Sequence, residues 1–119
     1  MHKLDTLKED LKAQGWKIAS KRFRPQDTGV EWEAYKPDDS LPDCLCNDKP
    51  PSVVICPWYM PADERHPEVQ SCEVVIRGET NENVWVELKA YGLHPEIDDV
   101  LIGVNQVKAA WLGVMKPKE

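Results

Sequence analysis

Residues 72–92, "CEVVIRGETNENVWVELKAYG", decide the fold class. Cys72, Val74 and Ile76 fall at every second position, and so do Val84, Val86, Leu88 and Ala90 beyond "ETNE". A period of two puts each set on one face of an extended strand. A short polar connection between two such runs makes them antiparallel neighbours, the clearest hairpin in the chain. Trp85 falls on the other side, away from Val84, Val86 and Leu88 and together with Glu87 and Lys89.

Downstream of this hairpin the period changes. Ile97, Val100, Leu101, Val104, Val107 and Trp111 recur at helical spacing. Pro95 suits a first helical turn, and Glu96, Asp98 and Asp99 favour the positive end of the helix dipole. The pattern predicts a helix to about Leu112, closing near Gly113. Gly103 inside it costs roughly 1 kcal/mol relative to Ala, which a close approach to the sheet would explain.

Upstream, "VVICPWY" is a short apolar run holding Pro57, and a proline lacks the N–H of a ladder bond. That places the run at an edge or ends it there. Trp58, Tyr59 and Met60 follow inside "CPWYMP", bracketed by prolines. Further upstream, "VEWEAYK" alternates with Val30, Trp32 and Ala34 on one face. It pairs as a hairpin with "WKIASKRF" across the turn segment "PQDTG". The chain opens on a helix over Lys3–Gln14, with Leu4, Leu7 and Leu11 as a narrow apolar stripe and Gly15 at its end. Thr6 and Glu9 fit a capping box, although Leu4 argues for an earlier start.

The expected fold is therefore α+β. A four- to five-stranded antiparallel sheet carries an N-terminal and a C-terminal helix on one face, in the order α-β-β-β-β-β-α. It forms a single domain over 1–119, with long irregular loops at 37–52 and 60–71. Strand order is not readable from the pattern.

Composition bounds the function classes. A chain of 119 residues, 41% hydrophobic and 30% charged, suits one soluble globular domain. No apolar run reaches the length of a membrane span. "MHKLDTLKEDLK" lacks the apolar stretch of a secretory signal, which gives the expectation of a cytoplasmic protein with reduced thiols. The net charge of −6 is uneven: residues 1–24 carry +4, residues 25–107 carry −12, and the remainder +2. An acidic middle repels phosphate backbones, so nucleic acid is not the expected partner. The basic run "KIASKRFR", with Phe23 among Lys17, Lys21, Arg22 and Arg24, resembles the pattern of single-strand binders. An edge strand guarded by charge is the commoner explanation, and the acidic remainder favours it.

Four cysteines and His66 are the candidates for metal chemistry. Zinc takes four N or S ligands, in most sites from two closely spaced pairs. Cys44 and Cys46 form one tight pair, and Cys56 and His66 are the residues best placed to complete a site. Cys72 falls on an apolar strand face, where a thiol behaves as a small buried hydrophobe. No cofactor other than this zinc is expected. Cys56 and His66 also supply the residue types of a nucleophile and base, but no cysteine-hydrolase signature surrounds them. No catalytic residues are assigned and the chain is read as a non-enzyme.

Tryptophan is the remaining signal. Of five, Trp16, Trp32 and Trp111 fall on core-facing stripes, whereas Trp58 and Trp85 do not. Trp58, Tyr59 and Trp85 are the expected anchors of a partner-binding surface, because exposed aromatics dominate interface energetics. The reading that follows is a small acidic interaction protein binding a protein partner. One concrete version is a phage or mobile-element accessory protein that inhibits a host nucleic-acid-handling enzyme by competing for its basic groove. The alternatives are a small zinc-stabilised domain held by Cys44, Cys46, Cys56 and His66, and a homodimeric structural protein with Trp85 at the dimer face.

Overall fold

Helix α1 spans His2–Ala13 and is followed by strands β1 (Lys17–Ser20), β2 (Trp32–Pro37), β3 (Ser52–Met60), β4 (Val69–Glu79) and β5 (Trp85–Leu93), then by helix α2 (Ile97–Val114). The structure, a computed structural model, describes residues 2–20, 30–37, 52–79 and 84–114. The strands form one five-stranded sheet in the order β1-β2-β3-β4-β5, every neighbouring pair antiparallel. The predicted α+β order is therefore the observed one, and the strand order is a simple meander.

The ends of α1 follow from its residues. It begins before Leu4, so Thr6 lies inside the helix and not at its cap. It ends on Gly15 at φ 88°. Trp16 N–H donates to Leu11 O at 3.0 Å and Gly15 N–H to Lys12 O at 3.1 Å. These two bonds make a Schellman motif, which satisfies carbonyls the helix would leave open. Its usual apolar contact is present as well, since Leu11 and Trp16 belong to the same buried cluster.

In α2, Val100 N–H donates to Glu96 O at 3.0 Å, so Glu96 is the residue that leads into the helix and Pro95 precedes it. The helix continues through Gly113 to Val114, one turn's fraction further than the sequence predicts.

One face of the sheet carries the core. Leu4, Leu7 and Leu11 of α1 and Val100, Val104, Val107 and Trp111 of α2 join Ala34, Val53, Ile55, Cys72, Val74 and Ile76 in one cluster. Both helices thus cover the same face, as the alternation of strands required. Each fully buried Leu or Ile in that layer contributes about 1.5–3 kcal/mol from apolar burial. Cys72 is inside it, 1% exposed, as its strand position predicts. Gly103 of α2 is buried against β5: a Cβ built there would stand 2.5 Å from Leu93 Cδ1. The close approach that would explain this glycine is the contact with Leu93.

Pro57 behaves differently from the expectation. β3 is the central strand and runs on through Pro57 to Met60. Pairing with β2, however, stops at Ile55 opposite Ala34, while pairing with β4 continues to Met60 opposite Val69. Pro57 lies just beyond the last residue in register with β2, where a residue without an N–H is tolerated. The polar stretch after β3 contracts to residues 61–68, because Met60 and Val69 are both in strands.

Candidate interaction surface

The registers place every other residue of each strand on the face opposite the one that α1 and α2 cover. Lys17 and Tyr35, Tyr35 and Val54, Val54 and Val75, and Val75 and Lys89 are successive cross-strand partners, and they form one row across all five strands. The adjacent row runs from Ala19 through Glu33, Cys56 and Glu73 towards Tyr91. Trp58 pairs with Ser71, Met60 with Val69, and Trp85 with Glu79. Val75, in the centre, is 2% exposed although it lies outside the helix-covered core.

Trp58 and Trp85 do share this face, but not a site. Trp58 lies level with Ser71 and Trp85 level with Glu79, two strands and eight β4 residues apart. At 3.3 Å per residue and 4.8 Å per strand, that is roughly 28 Å. Tyr59 is on the opposite face, where it packs against the core beneath the helices. The neighbours Trp58 and Tyr59 therefore cannot act as a joint anchor, since successive side chains of a strand point to opposite faces.

Alternation identifies an aromatic beyond the three expected anchors. Tyr91 shares the parity of Trp85, Glu87 and Lys89 and is 71% exposed, more than Trp85 at 61%. It stands at the end of the regular part of β5. Gly92 follows at φ 65°, where the register with β4 slips between Cys72 and Val74. A residue with positive φ at such a slip is the hallmark of a β-bulge. By the same spacings Tyr91 lies about 12 Å from Trp58, and the exposed pair Met60 and Val69 adjoins Trp58. This end of the face gathers Trp58, Met60, Val69 and Tyr91.

The charges on the face are mixed. Lys89 Nζ is 3.0 Å from Glu87 Oε1 and 6.0 Å from the centre of the Tyr91 ring. The hydrogen bond from Lys89 to Glu87 holds the ammonium pKa above its ordinary value, against a small desolvation effect. Glu33 is buried, and Cys56 Sγ–H donates to its Oε2 at 3.9 Å.

Of the four proposed zinc ligands, Cys44 and Cys46 lie outside the described residues. Cys56 is half-buried in the middle of β3 beside Glu33. His66 is in the connection after Met60, and its ring faces Asp63 at 3.3 Å. Asp63 Oδ1 also accepts from Arg65 N–H at 2.8 Å and His66 N–H at 2.7 Å. These backbone donors hold the Asp63 carboxyl below its ordinary pKa. This Asx-type turn accounts for the position of His66. Among the described residues no three His, Cys, Asp or Glu side chains converge as a metal site. Among the same residues no helix is long and apolar enough to cross a membrane.

Comparison with protein families, with curated proteins and with solved structures returns no match for this chain.

Proposed function

We propose that this chain is a non-enzymatic interaction module that presents to a protein partner the face of its sheet opposite α1 and α2. The observation that carries the reading is the exposure of Tyr91 and Trp85, 71% and 61%, on a sheet face that neither helix covers. Large aromatics held rigidly by strands lose little entropy on binding and supply most interface energy. The anchors are Trp58, Met60 and Tyr91 at one end of the face and Trp85 at the other. Tyr59 drops out of the anchor set because it serves the core. Glu73 and Glu87 share the face with Lys17, Arg77 and Lys89, so it offers no concentrated basic patch for phosphate, which favours protein over nucleic acid. The net charge of −6 favours a basic partner surface. An accessory protein that occupies the basic groove of a nucleic-acid-handling enzyme is the narrower form of this proposal.

The test is affinity capture from lysate of the source cells with the wild type, Tyr91→Ala, Met60→Glu and a control, Lys8→Ala, on the outer side of α1. A discrete co-purifying protein lost in the first two variants and kept in the control supports the proposal. Equal capture by all four proteins removes this face from the interaction.

A further inference from the structure

We infer that the outer edge of β5 pairs with β5 of a second copy of this chain, antiparallel about a two-fold axis through Leu88, so that two sheets become one. Among the described residues β5 is the last strand of the sheet, and it is nine residues long. A long edge offers a row of backbone donors and acceptors and templates association unless proline, repeated lysine or a bulge guards it. Between Trp85 and Tyr91 there is no proline, and the one lysine, Lys89, is already paired with Glu87. The guarding bulge comes only at Gly92.

The regular run is thus 85–91, and its midpoint is Leu88. A two-fold axis normal to the sheet keeps each residue on its own face and must pass through a residue. With the axis at Leu88, Glu87 meets the other copy's Lys89, Val86 meets Ala90, and Trp85 meets Tyr91. Opposite charges and two aromatics then face each other, the pairs that stabilise antiparallel ladders. An axis at Glu87 or at Lys89 would set like charges against each other, which is destabilising. The sequence of this edge is complementary to itself in one register.

Helix α2 supplies an independent argument. It packs on both β4 and β5. With strands about 4.8 Å apart, continuing the sheet across the axis sets the two α2 helices roughly 9–10 Å apart, within the 8–10 Å at which helices pack. From Ile102 onward the flank that would meet its counterpart is Ile102, Gln106, Ala110 and Gly113, all uncharged; Asp98 and Asp99 are confined to the first turn. Gln106 and Ala110 border a groove along the β5 edge with Leu88 and Ala90, and Ile102 is 55% exposed. The outer side of α1, by contrast, is charged throughout, with Lys3, Asp5, Lys8, Glu9 and Lys12. A helix that faces only water has no need to exclude charge.

The dimer stands on the edge and on α2 alone. Its consequence for docking rests on the function proposed above: the second copy's Trp85 would join Tyr91 and Trp58 and complete an aromatic patch that one chain leaves divided.

Sedimentation equilibrium of the full chain tests it without reference to any other partner. The wild type is expected to be a dimer, and Glu87→Lys and Lys89→Glu each to weaken it at least about tenfold. An equimolar mixture of the two variants is expected to recover dimers, because the opposite charges again face each other. Ile102→Arg is expected to weaken the dimer through α2, and far-UV circular dichroism checks that each variant is folded. A monomeric wild type, or a dimer that all three substitutions leave unchanged, overturns the inference. Failure of the mixture to recover dimers overturns the register.

Discussion

Replacing Gly103 by alanine sets two effects of opposite sign against each other. In a helix interior, Ala is favoured over Gly by about 1 kcal/mol. At this position the new Cβ would stand 2.5 Å from Leu93 Cδ1, 3.2 Å from its Cδ2 and 3.5 Å from its Cγ. Ordinary carbon contacts lie at about 3.5–4.0 Å, so the end of Leu93 must retreat by about 1 Å or α2 must lift from β5. Leu93 is only partly buried, so its methyl groups have room to move and the backbone is not forced. Overpacking of this kind costs typically about 1–3 kcal/mol. The net expectation for Gly103→Ala is a loss of about 1 kcal/mol. In a Leu93→Ala background the obstruction is gone, and the same substitution should gain close to 1 kcal/mol. The double-mutant coupling is therefore about 2 kcal/mol, well above the few tenths expected of independent sites. Urea denaturation followed by the fluorescence of buried Trp111 and Trp16 measures it, with each kcal/mol moving the midpoint by about 0.3–1 M. Equal stabilisation by Gly103→Ala in both backgrounds would refute the close approach of α2 to β5.

Ile76→Ala, at a fully buried position between β3 and β5, should cost about 2–5 kcal/mol in the same assay, whereas Tyr91→Ala should stay within about 0.5 kcal/mol. Acid should loosen the turn at Asp63. Its carboxyl is held below the ordinary value by the Arg65 and His66 amides, so its contribution is present above the unfolded pKa and is lost as pH falls through the lower folded one. Amide exchange at Arg65 and His66, compared between neutral and acid pH, reads this directly, and unchanged protection in acid would contradict it. If zinc stabilises the fold through Cys56, protein purified without added metal will contain stoichiometric zinc and Cys56→Ser will lose it; a Cys56 thiol that only donates to Glu33 predicts neither.

Much of the architecture is legible because the strands and helices advertise themselves by period. The hairpin of β4 and β5 follows from Cys72, Val74 and Ile76 against Val86, Leu88 and Ala90, and α2 from Val100, Val104, Val107 and Trp111. Val84 is the exception within that stripe: it precedes β5 and is 53% exposed. Pro57 misleads for a physical reason. A proline removes a ladder bond on one side of a strand only, and sequence does not say whether that side has a neighbour. The meander order is hidden as well, because connection length does not fix which edge a strand joins.

The surface is less legible than the core. Trp58 and Tyr59 read as one aromatic anchor, yet adjacent strand residues must face opposite ways once "CPWYMP" is a strand and not a loop. Tyr91 escapes notice in the sequence because it precedes Gly92 and looks like the end of an element. Its parity with Trp85, Glu87 and Lys89 is the available signal. The self-complementarity of residues 85–91 is present in the sequence too, but it has meaning only once β5 is known to be an edge. Zinc is a different case: the residue types are present, but Cys44 and Cys46 lie outside the described residues.

The proposed interaction takes place on the face of the sheet opposite α1 and α2. Met60 lies on that face, is 56% exposed and is remote from the β5 edge. A photo-cross-linking amino acid placed there, and in parallel at Lys8 on α1, reports which surface meets a partner in the source cells. A single heterologous adduct from position 60 and none from position 8 is the predicted result. An adduct from position 8 with none from position 60 would contradict it.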